Sequence, residues 1–308
     1  MQAAWLYYHD GLNQTAIAER LGVSRATVVG WLQRARERGL VRVRLDPRAF
    51  SGHRLALALV ERFDLADAHV LPDAPGEGAE TVFLRVAHGA AAWLPDLLDP
   101  GDRLGVSWGR TVFELAEAME PVAIEGLTVT QLVGSMATPY GFTAEICSAV
   151  VARRLSAACV NLHAPAVLSD AGLAARLREE PIIRDQLDAL ARCNKAVFAA
   201  GSCTPDSHIV GAGVATRKEL RDYLARGAVG VVCGRFVDAD GREVPGPLSE
   251  RIMGVALEDL VGLDAGLLVS TGPDRVASML AAIRAGYATH VVTAASTAEA
   301  LLALAGEG

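Results

Sequence analysis

The sequence predicts a small all-α head followed by a large α/β domain built on a doubly wound, mainly parallel sheet. Three observations lead there. The 308 residues suggest about two domains. Positive charge is concentrated in the first 45 residues. Beyond residue 54, short apolar runs alternate with helical patterns, as in a parallel sheet covered by helices on its faces. Hydrophobic residues make up 51% of the chain and charged residues 21%, which is enough apolar material for a large core and too ordinary a charge for a disordered chain.

In the head, residues 3–9 read as a short helix closed by Asp10-Gly11. Asn13 caps a second helix, QTAIAER, which Gly22 breaks. Ser24 caps a third, running from Arg25 to about Arg38, with Gly39 as its stop. There Val28, Trp31, Leu32 and Ala35 recur at helical spacing and make one apolar face. LVRVRL at 40–45 fits either a wing strand or the start of a linker. Residues 1–45 hold seven arginines against Asp10, Glu19 and Glu37, a net charge of +4, so the chain's −7 leaves −11 on the remainder. A basic head on an acidic body directs a polyanion to the head alone. Two short helices joined by a tight turn match a helix-turn-helix, whose second helix enters the major groove of double-stranded DNA. The residues expected at the DNA are Ser24, Arg25, Ala26 and Thr27 nearest the base edges, with Gln33 and Arg34 further along. Gln14 and Thr15 stand at the start of the preceding helix.

DPRAFSGHR, with Pro47 and Gly52, is the expected linker, giving a head at 1–45, a linker at 46–54 and a large domain at 55–308. The runs that read as strands are AHVL (68–71), RLGVS (103–107), LTVTQLV (127–133), CVNLH (159–163), KAVFAA (195–200), AVGVVCG (228–234), AGLLVS (265–270) and THVVT (289–293). Helical segments fall at 77–98, 111–119, 141–157, 181–193, 216–225, 273–285 and 296–304. No apolar run approaches the ~18 residues of a membrane span, and LALALV at 55–60 is far too short. MQAAWLYYHDG lacks the basic and long apolar regions of a secretory signal. The five cysteines (147, 159, 193, 203 and 233) are scattered and form no CxxC pair. They predict free thiols in a reducing cytoplasm.

GVSWGRTVFELAE, residues 105–117, is the main candidate site. A strand ending in a Gly-containing turn that opens a helix is a natural anion site, because the first helical amides lack backbone partners and the helix dipole places positive charge there. Ser107, Trp108, Gly109, Arg110 and Thr111 form the turn, and Gly109 lets the backbone approach closely. It is neither a Walker loop nor a GxGxxG fingerprint, so no nucleotide cofactor is expected. In a doubly wound sheet the strand ends at Gly134-Ser135 and Ser270-Thr271-Gly272 would face the same crevice.

Several of these stretches resemble the SorC-type bacterial transcription regulators. QTAIAERLGVSRATVVGWLQRARERGLVRV is similar to that family's DNA-binding region. GVSWGRTV, QLVGS, HAP (163–165), GAVGVVCGRFVDADG (227–241) and STGPDRVASMLAAIRAGY (270–287) follow in the family's order, so the resemblance spans nearly the whole chain. It implies a large domain similar in fold to sugar-phosphate isomerases and deaminases. That domain would sense a small phosphorylated sugar or polyol in a homodimer or homotetramer. On the matching positions, effector contacts would include Pro165, Asp238, Gly272 and Arg275 besides the turn and Gly134-Ser135. Asp238 is equally readable as a turn aspartate before Asp240-Gly241, and Arg275 as a solvated arginine in the first turn of a helix. The chain departs from the family at Val29 and Gly30, where Ser and Arg are usual. VGS stands for a Gly-Gly pair, GSC (201–203) for Gly-Ile-Gly, and Ala294 for Asp.

The rival reading is an isomerase-like or deaminase-like enzyme with an added head. It would need an acid/base pair at the strand ends. Asp238 and Glu145 are scattered carboxylates, and His163 lies near a strand end without an arrangement that commits to a reaction. DADG lacks the other ligands of a calcium loop, so no metal is expected. The two lysines, Lys195 and Lys218, lie in no pocket motif, which argues against a Schiff base with an aldehyde sugar.

Overall fold

Helices α1 (Gln2–Tyr8), α2 (Gln14–Leu21) and α3 (Arg25–Glu37) build the head. The computed structural model describes residues 2–41, 54–73, 76–136 and 141–306. Its contacts divide the chain into two compact units, Met1–Leu45 and Asp46–Gly308. Residues 42–45 of LVRVRL and 46–53 of the expected linker lie outside the described residues.

The capping signals read from the head operate as written. The Asn13 side chain accepts from the amides of Thr15 (3.1 Å) and Ala16 (2.9 Å). Gly22 ends α2 in the left-handed region at φ 67°, and Ser24 Oγ accepts from the Thr27 amide at 3.1 Å. Ala3, Leu6, Ile17, Val28, Leu32 and Ala35 make the small core. Trp31, on the same apolar face, is 38% exposed. Val28 and Ala35 occupy the centre of the apolar arc of α3, with Leu32 and Trp31 at its two margins, and the three short helices cover the smaller leucine and leave the indole partly outside.

In the second unit seven strands form one parallel sheet. Its order is β1 (Asp67–Leu71), β10 (His290–Ala294), β9 (Ala265–Val269), β5 (Lys195–Phe198), β2 (Arg103–Val106), β3 (Thr128–Gln131) and β4 (Ala158–Val160). Its central strands are buried on both sides; Phe198, Leu267, Leu268, Val291 and Val292 are wholly inaccessible. This is why they read as continuous apolar runs rather than alternating ones. Covering helices are α4 (Arg54–Phe63), α5 (Ala79–Trp93), α6 (Arg110–Ala118), α7 (Ala144–Arg154), α8 (Ala171–Glu179), α9 (Pro181–Ala191), α10 (His208–Gly211), α11 (Arg217–Ala225), α12 (Val276–Arg284) and α13 (Ala295–Gly306). Among the described residues no helix is long and apolar enough to cross a membrane.

One expected strand belongs elsewhere. Residues 228–234 contribute β7 (Gly230–Val232) to a separate three-stranded antiparallel sheet with β6 (Ala200–Gly201) and β8 (Arg235–Val237). Cys233 (φ 48°) and Gly234 (φ 83°) turn the chain straight back. Two successive positive φ angles make the tight hairpin that antiparallel strands require and parallel strands cannot use. α4, α8 and α10 were not anticipated, although Asp170, whose side chain accepts from the Leu173 amide at 2.8 Å, is a regular cap for α8.

The topology locates the site. From β2 the chain moves outward through β3 to β4, whereas β5, β9 and β10 move the other way. The direction reverses between the neighbours β2 and β5, and the crevice beyond the carboxyl ends of such a pair is where open α/β sheets bind ligands.

Candidate functional site

Beyond β2 the backbone leaves the sheet at Ser107, whose amide still donates to Val197 O at 3.0 Å. Ser107 and Trp108 are buried. Gly109 precedes α6 with φ 121° and ψ 169°, a conformation essentially closed to residues with a Cβ. A Cβ placed there would meet nothing within 4 Å, so it is the backbone shape and not crowding that requires glycine. The helix starts at Arg110, one residue before the expected Thr111.

This turn forms one wall of a cavity of about 260 Å³. Ala199–Ser202 beyond β5 also line it, followed by Ser207, His208 and Ile209. Cys233 and Gly234 of the small sheet contribute, and Arg275 enters from the turn after β9. Arg110 and Arg275 therefore reach one cavity from different strand ends. Arg110 lies over the Phe83 ring with its guanidinium carbon 4.6 Å from the centroid, and it pairs with Glu80 and, at 4.0 Å, with Glu114. Arg275 is held by Asp274 (2.9 Å) and by Ala200 O (2.9 Å). Both guanidiniums are thus pre-positioned, with protein acceptors taking part of their hydrogen-bonding capacity. His208 lies in the same cavity, and burial together with the charges of Arg275 and Arg110 holds its imidazole below the ordinary histidine range.

The remaining expected contacts are placed elsewhere. Gly134, Ser135 and Pro165 prolong the sheet. Ser135 N donates to Ala164 O and Ala166 N to Ser135 O, both at 2.7 Å, and a Cβ on Gly134 would stand 2.6 Å from Ala164 O. Gly134 is explained by this close approach of backbones. Gly272 has φ 109° and gives its amide to Thr297 Oγ1 at 3.0 Å. None of these four residues lines the cavity. Asp238 is the turn aspartate: its Oδ1 accepts from the amides of Asp240 (3.0 Å) and Arg242 (2.9 Å), and it too is absent from the cavity wall. His163 is satisfied by Gln186, ring Nδ1 to Nε2 at 2.6 Å and backbone amide to Oε1 at 2.8 Å. Lys195 stands at the start of β5, the end of the strand opposite to the cavity, and pairs with Asp102 at 2.7 Å.

Sequence reasoning missed Ala199–Ser202, Ser207, His208, Cys233 and Gly234. The one available signal was the end of KAVFAA, a strand terminus like the others. That it neighbours β2 is a matter of strand order, which no local pattern carries.

In the head, Ser24, Arg25 and Ala26 are exposed at the start of α3, as are Thr15 on α2 and Gln33 and Arg34 further along α3. Arg25 Nε donates to Gln14 Oε1 at 3.4 Å, so the two helix starts are tied together. Thr27 is half-buried, with its hydroxyl 2.8 Å from Ser24 Oγ, and Arg34 Nε donates to Gly30 O at 3.2 Å.

A basic helix-turn-helix and an α/β domain with a cationic cavity at its switch point define a transcriptional regulator with a ligand-sensing domain. Residues 48–303 match the Sugar-bind family of sugar-binding domains, and residues 1–44 a homeodomain-like domain. The chain belongs to the SorC-type transcriptional regulators. It is 38% identical to the uncharacterized transcriptional regulator YjhU of Escherichia coli K12, over 98% of this chain and 94% of that protein. It is 30% identical to the deoxyribonucleoside regulator of Bacillus subtilis, over 98% and 96%. The crystal structure of the full-length sorbitol operon regulator SorC from Klebsiella pneumoniae superimposes with a TM-score of 0.78 at 25% identity, over 98% of this chain and 97% of that one.

Proposed function

We propose that this chain is a cytoplasmic regulator whose affinity for double-stranded operator DNA is set by a small phosphorylated sugar or polyol. The effector sits in the cavity between β2 and β5, with its phosphate at Trp108–Thr111 and Arg275. The observation that carries this reading is the convergence of Arg110 and Arg275 on one cavity at the switch point of the sheet. A phosphate monoester near neutral pH carries close to two charges and several acceptor oxygens, which two guanidiniums and a helix start suit. Two proteins this chain resembles are a sorbitol operon regulator and a deoxyribonucleoside regulator, names that concern polyhydroxylated metabolites. The functional unit is a homodimer or homotetramer, with a head at 1–45, a linker at 46–54 and an effector domain from 55 onward.

The test is calorimetric titration with the best phosphorylated ligand from a thermal-shift screen and its unphosphorylated form. Arg275→Ala loses one to two decades of affinity, since a charge-assisted hydrogen bond contributes ~1.5–3 kcal/mol and ~1.4 kcal/mol is tenfold. Arg110→Ala loses less, about one decade, because Glu80 and Glu114 compete for the same guanidinium. Equal wild-type binding of both ligand forms, or catalytic turnover of the sugar phosphate, refutes the proposal.

In the head, Arg25→Ala weakens operator binding by ~1–3 kcal/mol and relaxes specificity at one base pair if Arg25 reaches a base edge. A gel-shift titration of operator and scrambled DNA at two salt concentrations reads this. Unchanged binding by the folded variant removes α3 from the interface.

A further inference from the structure

The cavity lining holds two side chains that the phosphate reading does not use. Ser207 is 6% exposed, lines the cavity, and its Oγ is a buried hydroxyl without a hydrogen-bond partner among the described residues. A buried hydroxyl left unpaired costs about 1–3 kcal/mol, so an orphan inside a cavity marks where a guest supplies the missing partner. The next residue, His208, lines the same cavity, with its ring 5.2 Å from that of Phe142.

We propose that Ser207 and His208 are ligand-contacting residues that determine which anion this cavity holds, with Ser207 Oγ hydrogen-bonded to the ligand and His208 protonated as the anion enters. The proposal rests on the cavity being the effector site.

The charges around His208 decide the sign. Arg110 of α6 and Arg275 of the turn after β9 are the cations acting on it, and with burial they disfavour a third positive charge. Their carboxylate partners are Glu80 on α5 and Glu114 on α6 for Arg110, and Asp274 for Arg275. Asp206, two residues before His208, is exposed to solvent. The other titratable side chain lining the cavity is Cys233, whose thiol burial pushes up to about 11 and keeps neutral. Burial and the two arginines therefore favour the neutral imidazole of His208 over its charged form. An anion between the arginines offsets their field at the imidazole. Opposite charges within ~4–6 Å move such a group by ~1–3 pH units, so the bound state takes up a proton that the free state does not hold.

Sulfate is the probe, because it does not titrate in the range used, whereas a phosphate monoester with a second pKa near 6 would add its own pH dependence. Calorimetric titration of the full chain with sulfate at constant ionic strength shows wild-type affinity rising as pH falls from 8 to 5.5, by at most about tenfold for a shift of ~1 unit. Repetition in buffers of different ionisation heat registers proton uptake. His208→Gln abolishes both the rise and the uptake. Ser207→Ala lowers affinity roughly fivefold at every pH, the worth of one hydrogen bond. Ser207→Cys keeps the volume and takes its place if the alanine variant does not fold. A wild type indifferent to pH, a His208→Gln chain that keeps the rise, or a Ser207 variant that binds normally overturns the inference. In each case Arg275→Ala still weakens sulfate binding if the cavity is the effector site. If Arg275→Ala binds sulfate as the wild type does, the cavity reading itself falls, and this inference with it.

Discussion

Gly109→Val abolishes binding of a phosphorylated ligand, with at least a hundredfold loss of affinity, while the large domain stays folded. At φ 121° and ψ 169° the residue lies in a region open essentially to glycine. Valine must either hold that conformation at a cost of ~1–3 kcal/mol or let the turn relax. Relaxation moves the amides of the first α6 turn and re-aims Arg110, and an anion site depends on several donors pointing at one place at once. The space around a Cβ at Gly109 is open, so no clash spreads into the core. The cost in stability is then the strain alone, a fall of a few degrees in Tm for a chain of this size. Calorimetry with the phosphorylated ligand, alongside a thermal melt, separates the two effects. Gly109→Ala imposes the same backbone demand without the branched side chain and shows most of the loss. Normal binding by either variant disproves the cradle.

Acid destabilises the large domain between pH 6.5 and pH 4 through His69. This imidazole is 1% exposed and stacks on Trp93 at 3.5 Å between ring centroids, with the His290 ring 5.4 Å from the same indole. Burial pulls its pKa down from the usual 6.5 to about 4, against the partial support of Asp67. The folded state thus prefers neutral His69 and the unfolded chain binds the proton more readily. The stability this contributes is complete above the unfolded value of 6.5 and is lost progressively as pH falls towards 4. At ~1.4 kcal/mol per unit the loss approaches ~3 kcal/mol. His290, also lowered by burial, adds a smaller loss of the same sign. Both belong to neighbouring strands, β1 and β10, at one edge of the sheet. Urea midpoints of wild type and His69→Phe at pH 7.5, 6 and 5 read the effect. Phenylalanine keeps the stack on Trp93 and flattens the pH dependence. The same slope in both chains would remove His69 from the account.

The head is where sequence and structure agree in detail, because its signals are local. Asn13 and Ser24 lie within three residues of the amides they cap, and Gly22 and Gly39 supply positive φ where α2 and α3 stop. Trp31 is the exception: spacing placed it on the apolar face, but spacing does not measure how far three short helices can reach round it.

In the large domain the sequence alone determined the parallel α/β class, the seven strands of the main sheet though not the exclusion from it of the eighth expected run at 228–234, and the Trp108–Thr111 turn at the end of β2. Buried strands, caps and a glycine-dependent turn all leave their mark within a few residues. Strand order leaves none. Only the tertiary structure decided that β5 lies beside β2, that Arg275 reaches the cavity while Asp238 folds back on its own turn, and that Ser207 and His208 line the same cavity as the two arginines. A carboxylate two to four residues from free amides satisfies them locally unless something stronger competes, and nothing in DADG announces which partner wins. Gly134 makes the same point: it read as a ligand contact, and it is required because the Ala164–Ala166 backbone passes within a methyl group's breadth of it. Local sequence records what each segment does with its own backbone, whereas the cavity is made by segments almost two hundred residues apart, brought together by burial of a common core.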